Sequence, residues 1–245
     1  MIPPIATGIY AGLSAAACVG MAWGAYTYAS MWPSSRIFGE GLTAPERPGE
    51  LGLTFDDGPN ATWTPRLLDI LRSHELHATF FIVGERAKAE PGLVRRAAAA
   101  GHLIGNHSWD HPNLARSSSD VIREELKRTQ DTLEQITGKA VKFFRPPYGA
   151  RRPAVFRIAR EMGLKLVLWN AMTTDWSDPS AERIAYKLSE RIDRLRQRGR
   201  ATNIVLHDGG HGDPLANRAA SVGAAERLIE RYKGTHQFVT LDSWV

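Results

Sequence analysis

A chain of 245 residues, 43% of them hydrophobic, suits one large α/β domain with an appendage and excludes a disordered polymer. The single cysteine, Cys18, excludes an intramolecular disulfide. A net charge of +5 and a pI near 9.5 favour anionic partners such as cell-wall polymer or lipid head groups, while the lack of any basic-aromatic module argues against nucleic acid.

No charged side chain precedes Arg36. Ile5 to Trp32 is long enough to cross a bilayer core of roughly 30 Å as a helix. Gly8, Gly12, Ala16, Gly20 and Gly24 recur every fourth residue, which lines one face with small side chains and would let two such helices pair. Tyr26, Tyr28 and Trp32 gather at one end like interfacial aromatics. Three readings compete. A retained single-pass anchor over 1–35 fits best. A cleaved signal peptide lacks a basic n-region and has too long an apolar run. A soluble core helix would need a polar face. Arg36 and Arg47 favour a cytoplasmic position for the C-terminal side of this segment, against an outward-facing domain. Residues 36–49, with Pro45, Pro48 and several glycines, read as a linker.

From residue 50 to 245 apolar runs alternate with helical patterns. The expected strands are Leu51–Phe55, Ala78–Val83, His102–Gly105, Val141–Phe144, Leu164–Trp169, Asn203–His207 and Gln237–Leu241. Between them lie expected helices at Arg66–Arg72, Pro91–Ala100, Ser119–Ile136, Pro153–Met162, Ser180–Arg198 and Pro214–Tyr232. Strict alternation predicts a parallel sheet, and seven units favour a barrel, complete or not.

The polar residues gather at one end of that map. Asp56 and Asp57 follow the first strand and His107 and His111 the third. Arg145 and Tyr148 follow the fourth, Asp175 and Trp176 the fifth, and His207 closes the sixth. Function in parallel α/β folds collects beyond the carboxyl ends of strands. His107 and His111 would share a face in a helix, but Pro112 favours a tight loop. In either form two imidazoles and a carboxylate suit Zn²⁺ or another first-row ion.

TFDDGP at Thr54–Pro59, HSWDH at His107–His111, RPPYG at Arg145–Gly149, DW at Asp175–Trp176 and LHD at Leu206–Asp208 resemble the motifs of the polysaccharide deacetylases, carbohydrate esterase family 4, which share the NodB homology domain. The resemblance covers roughly 50–245. It implies a distorted (β/α)7 barrel, here preceded by an N-terminal apolar helix.

The resemblance further implies that Asp57, His107 and His111 bind a divalent metal, zinc first and cobalt or nickel as alternatives. Asp56 would be the catalytic base and Arg145 would orient it. The backbone N–H of Tyr148 would be an oxyanion donor. His207 would be the general acid with Asp175 as its partner. Trp176 and Leu206 would form the pocket for the acetyl methyl. The reaction implied is removal of acetyl groups from N-acetylglucosamine in peptidoglycan or a chitin-like oligomer by metal-activated water. O-acetyl ester hydrolysis on a glycan such as xylan uses the same machinery. A membrane-tethered glycan-binding protein without catalysis would be expected to have lost ligands or base. Phosphoester hydrolysis fits an apolar pocket poorly. A cell-wall substrate would place the domain outside a bacterial cytoplasmic membrane. His74, His77, His102 and His236 fit no motif; His211 stands in the loop after the sixth strand, at the rim.

Overall fold

The computed structural model describes residues 20–245. Among them, eight strands form one parallel sheet in the order β5-β4-β3-β2-β1-β7-β6. These are β1 (Glu50–Gly58), β2 (Thr79–Ile82), β3 (Leu103–Asn106), β4 (Phe143–Phe144), β5 (Lys165–Leu166), β6 (Ala171–Met172), β7 (Thr202–His207) and β8 (Gln237–Val239). β8 pairs with the start of β1 and lies off the main order. β1 is central and almost wholly buried, which its run of apolar residues requires.

Helices cover the sheet: α1 (20–31), α2 (Trp63–Ser73), α3 (Gly84–Ala89), α4 (Pro91–Ala99), α5 (Ser119–Thr137), α6 (Pro153–Glu161), α7 (Ala181–Gln197) and α8 (Ala219–Tyr232). The ends of the long ones are written in the sequence. The Ser118 hydroxyl accepts from the N–H of Val121 to start α5, and Gly138 ends it at φ 68°. Ser180 caps α7 in the same way. One continuous core fills the space between sheet and helices, built from Leu53, Phe55, Phe80, Leu126, Ile184, Leu206 and Leu228 among others.

A curled parallel sheet carrying helices is the α/β architecture expected, opened at one seam: β5 and β6 pair with no common neighbour. The expected fifth strand, Leu164–Trp169, shortens to β5, and a further short strand outside the expected set, β6, follows it at Ala171–Met172. The last helix begins at Ala219 instead of Pro214, because 209–218 is a loop.

The N-terminal anchor reading falls mostly on residues 1–19, outside the described residues, as do Cys18 and most of the small-residue stripe. Among the described residues no helix is long and apolar enough to cross a membrane. The end of α1 is docked. Arg151, fully buried, donates to the carbonyls of Ser30, Trp32 and Ser35. The stretch 36–49 lies along the sheet edge, where Leu42 bridges Val167 and Pro45 accepts from the N–H of Ala201.

Candidate active site

The expected polar residues converge. A cleft of about 500 Å³ opens over the carboxyl ends of the strands, lined by Asp56, Asp57, His107, His111, Tyr148, Trp176 and His207 together with Trp169, Met172, Val205 and His211.

Asp56 and Asp57 reach this cleft together because β1 is irregular there. Asp56 pairs with Phe81 and Gly58 with Ile82, so Asp57 is passed over in the register. It sits at φ 68°, the left-handed region. In a regular strand neighbouring side chains would face opposite ways; the bulge re-aims the second carboxylate.

The backbone spends strain on the histidines too. His111 adopts φ 66° and Ser108 φ 64°, so HSWDH is a tight loop and not a helical turn. Nε2 of His111 lies 3.1 Å and Nε2 of His107 3.4 Å from Oδ1 of Asp57. One ligand atom from each of the three residues falls within 4.8 Å of the others, and all three residues are buried. Asp57 Oδ1 is buried and accepts no hydrogen bond. Nδ1 of His107 is 2.7 Å from the carbonyl oxygen of Arg145. A carbonyl only accepts, so Nδ1 carries the hydrogen and Nε2 presents a lone pair to the cleft. An unpartnered carboxylate oxygen and two imidazole nitrogens suit a divalent ion. Burial alone would raise the Asp57 carboxyl, but the imidazoles of His107 and His111 and the charge of His207 hold it well below the usual range.

Arg145 follows β4 and is fully buried. Its Nη1 donates to Asp56 Oδ1 and Thr54 Oγ1, each at 2.7 Å. Its Nη2 reaches Leu168 O and Asn203 Oδ1. These contacts leave Asp56 Oδ2 toward the Asp57-His107-His111 cluster, 3.9 Å from His107 Nε2.

Across the cleft, His207 closes β7. Its Nδ1 is 2.9 Å from Asp175 Oδ1, and its backbone N–H donates to Oδ2. Burial would depress the imidazolium, but Asp175 first, with Asp57 and Asp56, outweighs that and raises it to about 9. Ser221 on α8 donates to Asp175 Oδ2 at 2.6 Å, a partner no motif reveals. Trp176 stands edge-on to His207 at 5.2 Å and is 46% exposed. Tyr148 sits at φ 58° on the rim.

Leu206 does not line the cleft. Strand alternation turns it into the core, and its neighbour Val205 takes the cleft position. The 209–218 loop is held by buried arginines that no motif singles out. Arg86 donates to the carbonyls of Asp57, Gly210 and His211, and Arg218 to those of Gly209 and Trp176. The loop sets the His211 ring on His111 at 5.0 Å. Asp208, also buried, takes the Thr64 hydroxyl at 2.5 Å. Burial, first, raises its carboxyl to about 7.

This fold and site define a hydrolase class: a parallel α/β half-barrel with an Asp-His-His cluster, a separately clamped carboxylate and a carboxylate-held histidine. Residues 43–167 match the family model "Polysaccharide deacetylase", and the chain belongs to that family. It is 36% identical over 203 residues to a peptidoglycan-N-acetylglucosamine deacetylase of Bacillus cereus, covering 82% of this chain and 70% of that one. It is 34% identical to a chitooligosaccharide deacetylase of Azorhizobium caulinodans, over 78% and 89% of the two chains. A solved peptidoglycan N-acetylglucosamine deacetylase superposes with a TM-score of 0.74 at 36% identity, over 83% of this chain and 91% of that one. A carbohydrate esterase family 4 pseudoenzyme from Bacillus anthracis gives the same TM-score at 25% identity, over 83% and 68%. The fold therefore does not by itself separate an enzyme from a pseudoenzyme; the side chains in the cleft must.

Proposed function

We propose that this chain hydrolyses the N-acetyl group of N-acetylglucosamine residues in a polysaccharide, peptidoglycan or a chitin-like oligomer. One observation carries the reading: Asp56, clamped by Arg145, stands beside an intact Asp57-His107-His111 cluster and across the cleft from the His207–Asp175 pair.

Asp57 and Nε2 of His107 and His111 would hold the ion. The mixed nitrogen and oxygen set suits zinc, with cobalt or nickel as substitutes. Such an ion supplies Lewis acidity toward the acetyl carbonyl and toward water. Asp56 accepts the proton of the attacking water through the carboxylate oxygen that Arg145 leaves open. The backbone N–H of Tyr148, a residue of the cleft lining, would donate where negative charge develops on the carbonyl oxygen. His207, held in one tautomer by Asp175, delivers a proton to the departing sugar amine. Trp176, Met172 and Val205 give the methyl an apolar wall.

Acetate release from N-acetylglucosamine oligomers or peptidoglycan tests the reading. Chelator should abolish it and added zinc restore it; metal-loaded protein that releases nothing from either glycan would refute it.

A cell-wall substrate also supports an extracytoplasmic domain tethered through the part of 1–35 that precedes the docked end of α1, with the small-residue stripe pairing two anchors. A topology reporter fused after Val245 tests the placement, and an inward-facing reporter would refute it.

A further inference from the structure

A second cleft, about 710 Å³, adjoins the first and shares Tyr148, Trp169 and Met172 with it. The two clefts are therefore continuous along Tyr148, Trp169 and Met172. Its lining holds Arg36, Arg191, Arg198 and Arg200 and no carboxylate.

The four charges are not equally free. Arg36 pairs with Glu40 at 3.2 Å on an exposed surface, and Arg200 lies 3.7 Å from Glu46 and donates to the carbonyl of Ala44. Arg191 and Arg198 have no carboxylate within ion-pair distance among the described residues. Two helical turns apart, they project from the same side of α7 and its end. Another wall is the 31–36 segment, which Arg151 holds by donating to the carbonyls of Ser30, Trp32 and Ser35, with no acidic partner among the described residues. Trp32 stands 60% exposed on that wall, a flat apolar face of the kind a sugar ring can cover.

We propose that this cleft is a subsite for acidic groups of the glycan: carboxylates borne by sugars neighbouring the one deacetylated. The proposal rests on the deacetylase reading and sharpens it. A guanidinium fork matches a carboxylate in shape and charge. A neutral oligomer of N-acetylglucosamine offers Arg191 and Arg198 nothing to pair with, whereas a strand whose alternate sugars carry acids does. Continuity with the acetyl cleft favours the glycan over a membrane surface as the source of anion.

The test compares metal-loaded wild type with the double variant Arg191→Glu/Arg198→Glu on two substrates: neutral N-acetylglucosamine pentamer and peptidoglycan oligosaccharide with free carboxylates. The variant should lose about tenfold or more in kcat/KM on the acidic substrate, through KM, and roughly tenfold less on the neutral one. Added salt should depress only the wild-type preference, and Arg191→Lys/Arg198→Lys should recover part of it. Equal losses on both substrates, or none on the acidic one, would overturn the proposal. If wild type deacetylates neither glycan, the proposed function fails and calorimetric binding of the acidic oligosaccharide decides the subsite: arginine-dependent binding upholds it, indifferent binding overturns it. Sedimentation with phosphatidylglycerol vesicles gives a third arm. Arginine-dependent vesicle binding with unaltered binding of the acidic oligosaccharide would assign these residues to the membrane and overturn the proposal.

Discussion

The backbone carbonyl of Arg145 holds Nδ1 of His107 at 2.7 Å while the guanidinium of the same residue holds Asp56, also at 2.7 Å. One residue thus orients a member of the candidate metal cluster through its main chain and the proposed base through its side chain. Substitution separates the two, because the main-chain contact survives.

Arg145→Met should leave Asp56 buried without its cation. Breaking such a pair costs about 3–5 kcal/mol, to be read by urea denaturation, with activity abolished. Arg145→Lys keeps the charge and loses the fork; it should retain most of the stability and little of kcat. Wild-type stability in Arg145→Met would contradict this placement.

In the proposed reaction His207 should matter only where the leaving group is a poor one. An amine must be protonated as it departs; an activated alcohol or phenol need not be. His207→Ala should lower amide deacetylation by about 10²–10⁴-fold and hydrolysis of 4-nitrophenyl acetate far less. Equal losses in the two assays would remove His207 from the role of acid.

The pH dependence comes from the same pair. The ordinary imidazole value is 6.5, and in the fold it rises to about 9. A raised value means that the His207–Asp175 interaction contributes its full stability below 6.5 and loses it as pH climbs through about 9. Amide turnover should fall over the same upper range as the acid proton is lost. Asp175 raises the value more than Asp57 does, and a cation held at Asp57 would oppose the Asp57 share, so the limb should lie lower in metal-loaded protein than in metal-free protein. Asp175→Asn should shift that limb to lower pH in a rate profile; an unmoved limb would contradict the pairing.

Gly209 is required by close approach. A Cβ there would overlap the carbonyl oxygen of Asp57, beside Arg86. Gly209→Ala should push apart the Asp57 bulge and the 209–218 loop. We expect about 1–3 kcal/mol of destabilisation with weaker metal retention by mass spectrometry. Unchanged metal content and stability would show the contact to be looser than the geometry gives.

Much of the site is legible in the residues because each motif follows an apolar run, and parallel topology gathers strand ends. The illegible parts have specific physical causes. β6 has only two residues, too few to show a period. The left-handed backbone at Asp57, His111 and Tyr148 leaves no mark in residue type, since none is glycine. The motif places Leu206 in the cleft, but alternation along β7 presents Val205 instead. Arg86, Arg151 and Arg218 belong to no motif, yet each is buried against main-chain carbonyls. That satisfaction by backbone, with no acid to pair in sequence, is why no charge pattern points to them.

The central claim is that adjacent aspartates do different work. Metal content and acetate release, measured together on Asp56→Asn and Asp57→Ala, test it most directly. Asp56→Asn should keep wild-type metal and lose turnover by at least about a hundredfold; Asp57→Ala should lose both metal and turnover. Equal loss of metal in the two variants would contradict the division.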